Sequence, residues 1–153
     1  MRKGTSPVGY LGCHALYIIL ENIIRNSTKH GFRHALGQKL KLAFSINTNS
    51  QYENLIEVIV HDNFGYAHAK HLTANIFNDN LVERINTILW QPLLGKDGSL
   101  RKDAWGIIEM KICASFLRGI YPENIEDVEP PILEAMNIED NLAFRFYLIK
   151  GQR

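Results

Sequence analysis

The sequence predicts an α+β fold, a two-layer sandwich with helices on one face of a mixed β-sheet. Helix-period and strand-period segments are interspersed along the chain. Each clear strand candidate also alternates apolar with polar residues, which gives it one polar face. A doubly wound fold would bury its strands on both sides and show near-continuous apolar runs.

The elements follow in order. Residues 12–30 read as a helix, with an apolar stripe of Leu16, Leu20, Ile23 and Ile24, stopped by Gly31. Leu40, Leu42, Phe44 and Ile46 then alternate with Lys41, Ala43, Ser45 and Asn47, a half-buried strand. The turn cluster "NTNSQYEN" leads into a second strand, "LIEVIVHD", which ends at Asp62. Residues 66–91 predict a helix in two pieces, at about 69–77 and 81–90, stopped by Pro92. "LGKDGSLRKD" is a loop, and "AWGIIEMKICASFLRG" is a strong helix closed by Gly119. "YPENIEDVEPPILEAMNIEDN" reads as an acidic, proline-bearing connection to a last strand, "LAFRFYLIK".

With 153 residues the chain suits one well-cored domain, residues 1–153, and is short for two. A formal net charge of +1 offers no electrostatic argument for nucleic acid or an anionic membrane. The basic residues are scattered without the aromatic interleaving that single strands need. No apolar run is long enough to span a bilayer, and the N-terminal residues lack a small-residue cleavage site. Cys13 and Cys113 lie far apart, with no CxxC pair, on apolar helix faces. Buried thiols and a reducing, cytoplasmic location are the expectation. His14, inside the first helix, reads as a packing residue. His30 with His34, and His68 with His71, have helical metal spacing but no evident third ligand, which favours surface or packing roles over zinc.

Chemistry gathers in "LENIIRNSTKHGF". At about 100° per residue, Asn22, Asn26, Lys29 and His30 fall within an arc of roughly 100° that borders the apolar stripe. Asparagine is expensive to bury without partners. Its carbonyl is a hard neutral ligand suited to hydrated magnesium, and a lysine one turn on suits phosphate. By spacing alone, the same residues also suit the edge of a partly solvated helix. Asp62 at a strand end could accept a hydrogen bond from the exocyclic amine of adenine, or simply form a turn. Gly106 opens a helix whose free amides and dipole favour phosphate, or it serves close packing. Lys111, five residues further on, could face that site or solvent.

Order and spacing together resemble the ATP-binding domain shared by sensor histidine kinases, DNA gyrase, the large heat-shock chaperones and the MutL repair proteins. "LENIIRNSTKHG" is similar to the asparagine box of the histidine kinases, with Asn22 and Asn26 on its asparagine positions and Lys29 and His30 on its basic and ring positions. "IEVIVHDNFG" is similar to the strand and first glycine box, with Asp62 on the adenine-binding aspartate and Gly65 as its remaining glycine. "WGIIEMKICASFLRG" resembles the later glycine box, with Gly106 on the last glycine and Lys111 on the lysine that commonly follows.

The resemblance implies a Bergerat-type fold with ATP between sheet and helices and a lid over about residues 63–105. It implies that Asn26 coordinates Mg2+, that Asn22 supports the site at the general-base position, and that Lys29 and His30 approach the phosphates or the lid. Amides near Gly106 would bind phosphate as the lid closes. Departures fall mainly on the phosphate-binding half. Phe64 stands where the first box has a glycine, Ala104 and Trp105 replace glycine-rich sequence, and "NIEDN" replaces a glycine-threonine turn.

The hydrolysing branches carry a glutamate where this chain has Asn22, and Glu21 lies about 100° around the helix. Kinase-type phosphoryl transfer is therefore expected ahead of ATP hydrolysis. The acceptor would be a partner protein or domain outside this chain, which would then be a fragment or subunit of a larger system. Two alternatives stand beside it: a non-catalytic nucleotide-sensing or interaction module, and a stand-alone serine kinase of the anti-sigma type.

Overall fold

The computed structural model describes residues 9–31, 37–65, 81–100, 104–121 and 128–151. Helix α1 spans Tyr10–Asn26 and continues into a π-helical turn, Ser27–Gly31. Strands β1 (Ala43–Asn47) and β2 (Leu55–His61) follow, then helices α2 (Leu81–Trp90) and α3 (Trp105–Leu117), and strands β3 (Leu133–Ile138) and β4 (Asn141–Ile149). The expected helix at 69–77 and residues His34, His68 and His71 lie outside the described residues.

The strands form one sheet of order β1-β2-β4-β3, so the chain is α+β with helices packed on a sheet. The sequence suggested a mixed sheet, whereas all three described ladders are antiparallel. Val58 and Val60 of β2 pair with Phe146 and Phe144 of β4, which pair in turn with Leu133 and Ala135 of β3. Cross-strand partners share a face, so these six buried side chains make one apolar floor. The helices supply the roof with Ala15, Ile19 and Ile23 of α1, Ile85 and Leu89 of α2, and Ile107, Met110 and Ala114 of α3. On the opposite face β2, β4 and β3 place Glu57, Arg145 and Glu134 side by side, and Arg145 is ion-paired with Glu134.

Three readings need correction. The buried positions of α1 are Gly12, Ala15, Ile19, Asn22 and Ile23, so Asn22 sits within the core stripe and Ile24 is exposed. Strand β3 lies inside the stretch read as an acidic connection. Its hairpin to β4 turns on Glu139 and Asp140, at φ 50° and 67°, positions where asparagine or glycine would normally announce the turn. Cys13 is exposed, and so is His14, which stacks on Tyr17 on the outside of α1; only Cys113 is buried.

The expected lid included residues that the structure builds into the core. In α2, Asn86 is buried and its side chain acts as a substitute strand: Nδ2 donates to the Ala135 carbonyl at 2.9 Å and Oδ1 accepts from the Ala135 N–H at 2.8 Å. These bonds occupy the outer edge of β3, the position where an unpaired strand would leave its backbone groups open. Leu93, just beyond α2, is buried as well.

Candidate functional site

A cleft of about 310 Å³ opens where the C-terminal end of α1 and its π turn meet the starts of α2 and α3. Its lining includes Asn22, Arg25, Asn26, Lys29 and His30 on one side and Ala104, Trp105 and Gly106 on the other, over Leu142 of β4. Four of the sequence-predicted helix residues and Gly106 thus converge. Two cations, Arg25 and Lys29, line the cleft, and no carboxylate does among the described residues. The π turn is the local device that carries Lys29 and His30 there; such widened turns are frequent at functional sites.

Asn26 is half-buried, and among the described residues its amide makes no hydrogen bond, which leaves its oxygen available to the cleft. Asn22 differs. It is 2 % exposed, and its Nδ2 donates both to the Ile18 carbonyl at 3.0 Å and to Glu109 Oε2 of α3 at 2.9 Å. Its Oδ1 lies so close to α3 that a Cβ on Gly106 would meet it at 2.7 Å. A side chain at Gly106 would therefore displace the Asn22 amide, a packing constraint independent of any ligand. Glu21 points off the cleft and pairs with Arg25 at 2.6 Å on the exposed side, as the helix geometry implied.

Helix α3 begins at the cleft without a side-chain cap. The residue before it, Ala104, has φ 51° and ψ 43°, the left-handed region that favours glycine. Alanine at this position thus stores backbone strain at the mouth of the cleft.

The remaining predicted residues lie elsewhere. Asp62 is 1 % exposed beneath the cleft floor. Its Oδ2 accepts from Ser27 Oγ at 2.8 Å and its Oδ1 from the Phe64 N–H at 3.1 Å, while Phe64 is buried in the core. Asp62 does not line the cleft. Gly65 follows at φ 66° with its N–H on Asn141 Oδ1 at 3.0 Å, a turn fastened to β4. Lys111 is 8 % exposed and its ammonium donates to the Leu89 carbonyl near the end of α2, away from the cleft. Sequence reasoning missed Arg25, Trp105 and Ser27. Arg25 was hidden by its 100° offset from Asn26, and Ser27 became legible only once α1 and β2 were adjacent.

A larger hollow of about 480 Å³ lies on the far side of the sheet, over Glu57, Glu134, Arg145 and Tyr147. Its floor is the ion-paired row already described, and none of the predicted site residues reaches it. No group of three or more metal-ligating histidine, cysteine or carboxylate side chains occurs among the described residues. No helix among them is long and apolar enough to cross a membrane. No protein-family model, curated protein or solved structure matches the chain.

Proposed function

We propose that the chain binds Mg-ATP in the α1/α3 cleft and supports phosphoryl transfer to an acceptor on another protein or domain. The observation that carries this reading is the lining: Lys29, Arg25 (ion-paired with Glu21 at its rim) and an uncapped helix start around an unengaged asparagine oxygen, with no carboxylate among the described lining residues. Such a lining favours a polyanion. Asn26 offers a neutral oxygen to hydrated magnesium, Lys29 and Arg25 offer charge to phosphate, and the first amides of α3 offer donors. Bound Mg-ATP would supply the transferable phosphoryl group; the residues here hold and orient it. A volume of about 310 Å³ sits at the small end of ligand pockets, typically about 300–1,000 Å³.

The adenine end does not fit in the same way. Asp62, the acceptor expected there, already has a partner on each oxygen and is sealed by Phe64. That observation favours a second reading, a nucleotide-sensing module in which opening of the 62–65 turn accompanies adenine entry.

Titration calorimetry with a non-hydrolysable ATP analogue tests the first reading. Binding should depend on magnesium, exceed that of adenosine, and fall at least tenfold in Asn26→Ala. No heat at millimolar analogue, with or without magnesium, rules out nucleotide binding.

A further inference from the structure

We infer that the outer face of α1 is a homodimer surface, on which a second copy of the chain packs its own α1 in antiparallel register about Tyr17. The helix is apolar on both sides. It buries Ala15, Ile19 and Ile23 in the core, yet its solvent side carries Tyr10, Leu11, Cys13, Tyr17 and Ile24, with Tyr10 and Tyr17 exposed at 87 % and 61 %. A helix face left in water normally carries charge, and a helix apolar all round is normally covered. At about 100° per residue, Tyr10, His14, Tyr17, Glu21 and Ile24 fall within an arc of roughly 80°, at alternating spacings of four and three. That is the spacing of a seam that meets another helix. The rings of His14 and Tyr17 already lie stacked along it, with centroids 6.5 Å apart.

The polar residues of the seam select both the occupant and its direction. Tyr17 is the midpoint of the stripe, so a two-fold axis through it sets His14 opposite the partner's Glu21. The same axis sets Tyr10 opposite the partner's Ile24 and the partner's Arg25. A carboxylate thus meets an imidazole that can donate to it, and a guanidinium meets an aromatic ring. The Glu21–Arg25 ion pair on each helix stays intact. Parallel packing would instead set Glu21 on Glu21 and Arg25 on Arg25, like charge on like. Arg25 also lines the cleft, so the partner's Tyr10 stands at the rim of that cleft. With 17 residues α1 is about 26 Å long. One such pair buries less than the about 1,200–2,000 Å² of a standard interface, which sets the expected Kd at about 10–100 µM.

Sedimentation equilibrium of the full chain at about 5–500 µM, without nucleotide, tests this. A monomer–dimer equilibrium is expected. Tyr17→Arg places two guanidinium groups at the axis and should weaken the dimer at least about tenfold. His14→Glu sets carboxylates against each other and should weaken it to a similar degree, and His14→Glu/Glu21→Arg should restore it. Direction is read by oxidation in a Cys13→Ser background, where the remaining Cys113 is buried. There Tyr17→Cys should form an intermolecular disulfide and Tyr10→Cys should not, whereas parallel helices would cross-link both. The substituted positions lie outside the core cluster, so the variants should fold as the parent does. A chain that stays monomeric throughout, a dimer indifferent to Tyr17→Arg, no restoration by the charge exchange, or cross-linking at position 10 would each overturn the inference.

Discussion

The cleft mouth and the buried cluster around Asp62 are built on opposite rules. At the α1/α3 mouth, Asn26, Arg25 and Lys29 face the opening, and the first turn of α3 has no side-chain cap. Outside the cleft lining, Asp62, Ser27 and Phe64 form a closed set in which both carboxylate oxygens are bonded and every member is at least 95 % buried. At the mouth the Asn26 amide is left unspent among the described residues and Arg25 is engaged only by its exposed pair with Glu21, which adds little to stability. The buried cluster spends its polar groups on joining the end of α1 to the end of β2. Residues that a sequence places in one site are thus divided between an open cleft and a buried cluster, and neighbouring polar side chains need not share a task.

The division is open to direct attack. Asp62→Ala should have the largest effect, since it strands the Ser27 hydroxyl and the Phe64 N–H in the core. A loss of about 2–4 kcal/mol by urea denaturation is expected. Asn26→Ala should change stability by less than about 0.5 kcal/mol while removing magnesium-dependent analogue binding. Comparable stability losses for the two would erase the contrast.

Lys111→Met comes next. It keeps the buried stem but leaves the Leu89 carbonyl without its ammonium donor, so about 1–2 kcal/mol should be lost with analogue affinity unchanged. A large affinity loss in a folded variant would return Lys111 to the ligand side. Ala104→Gly should act in the reverse direction: releasing the left-handed conformation should stabilise the fold by about 0.5–1 kcal/mol, read as a raised Tm.

The smallest effect is a pH dependence remote from the cleft. Burial, aided by the charge of Glu109, pushes the Cys113 thiol up to about 11 from 9.0. Burial, outweighing the opposing charge of Arg145, pushes the Tyr147 phenol up to about 12 from 10.0. Both groups keep in the fold a proton that the unfolded chain releases first. Their contribution is therefore whole below about pH 9 and is lost as pH climbs through the folded values. Urea midpoints should fall on the alkaline side of pH 9, less steeply in Cys113→Ala. Iodoacetamide near neutral pH should label Cys13 and spare Cys113.

Periodicity made much of the architecture legible. Helices α1, α2 and α3 and strands β2 and β4 follow from apolar content and spacing. Strand β3 escaped because its inward residues are only Leu133 and Ala135, set among Glu134 and Asn137 after two prolines, and its turn lacks glycine. The asparagine stripe lies on a helix face that meets the cleft. It could not say that Asn22 is committed to Glu109, 87 positions away, or that Asp62 is committed to Ser27, 35 positions away. Such pairings exist only after the layers have packed. Lys111 failed for the same reason, since a helix wheel cannot tell which neighbour supplies the carbonyl.

Asn86 makes the two borders of the sheet unequal. At the β3 border the outward N–H and C=O of Ala135 are already taken by a side chain from α2. At the other border all five residues of β1 are exposed, with Phe44 and Ile46 at 53 % and 64 %. Among the described residues, β1 is thus the more open border for a foreign strand, and β3 is closed at Ala135. One asparagine, by imitating a peptide unit, limits how far this sheet can be extended.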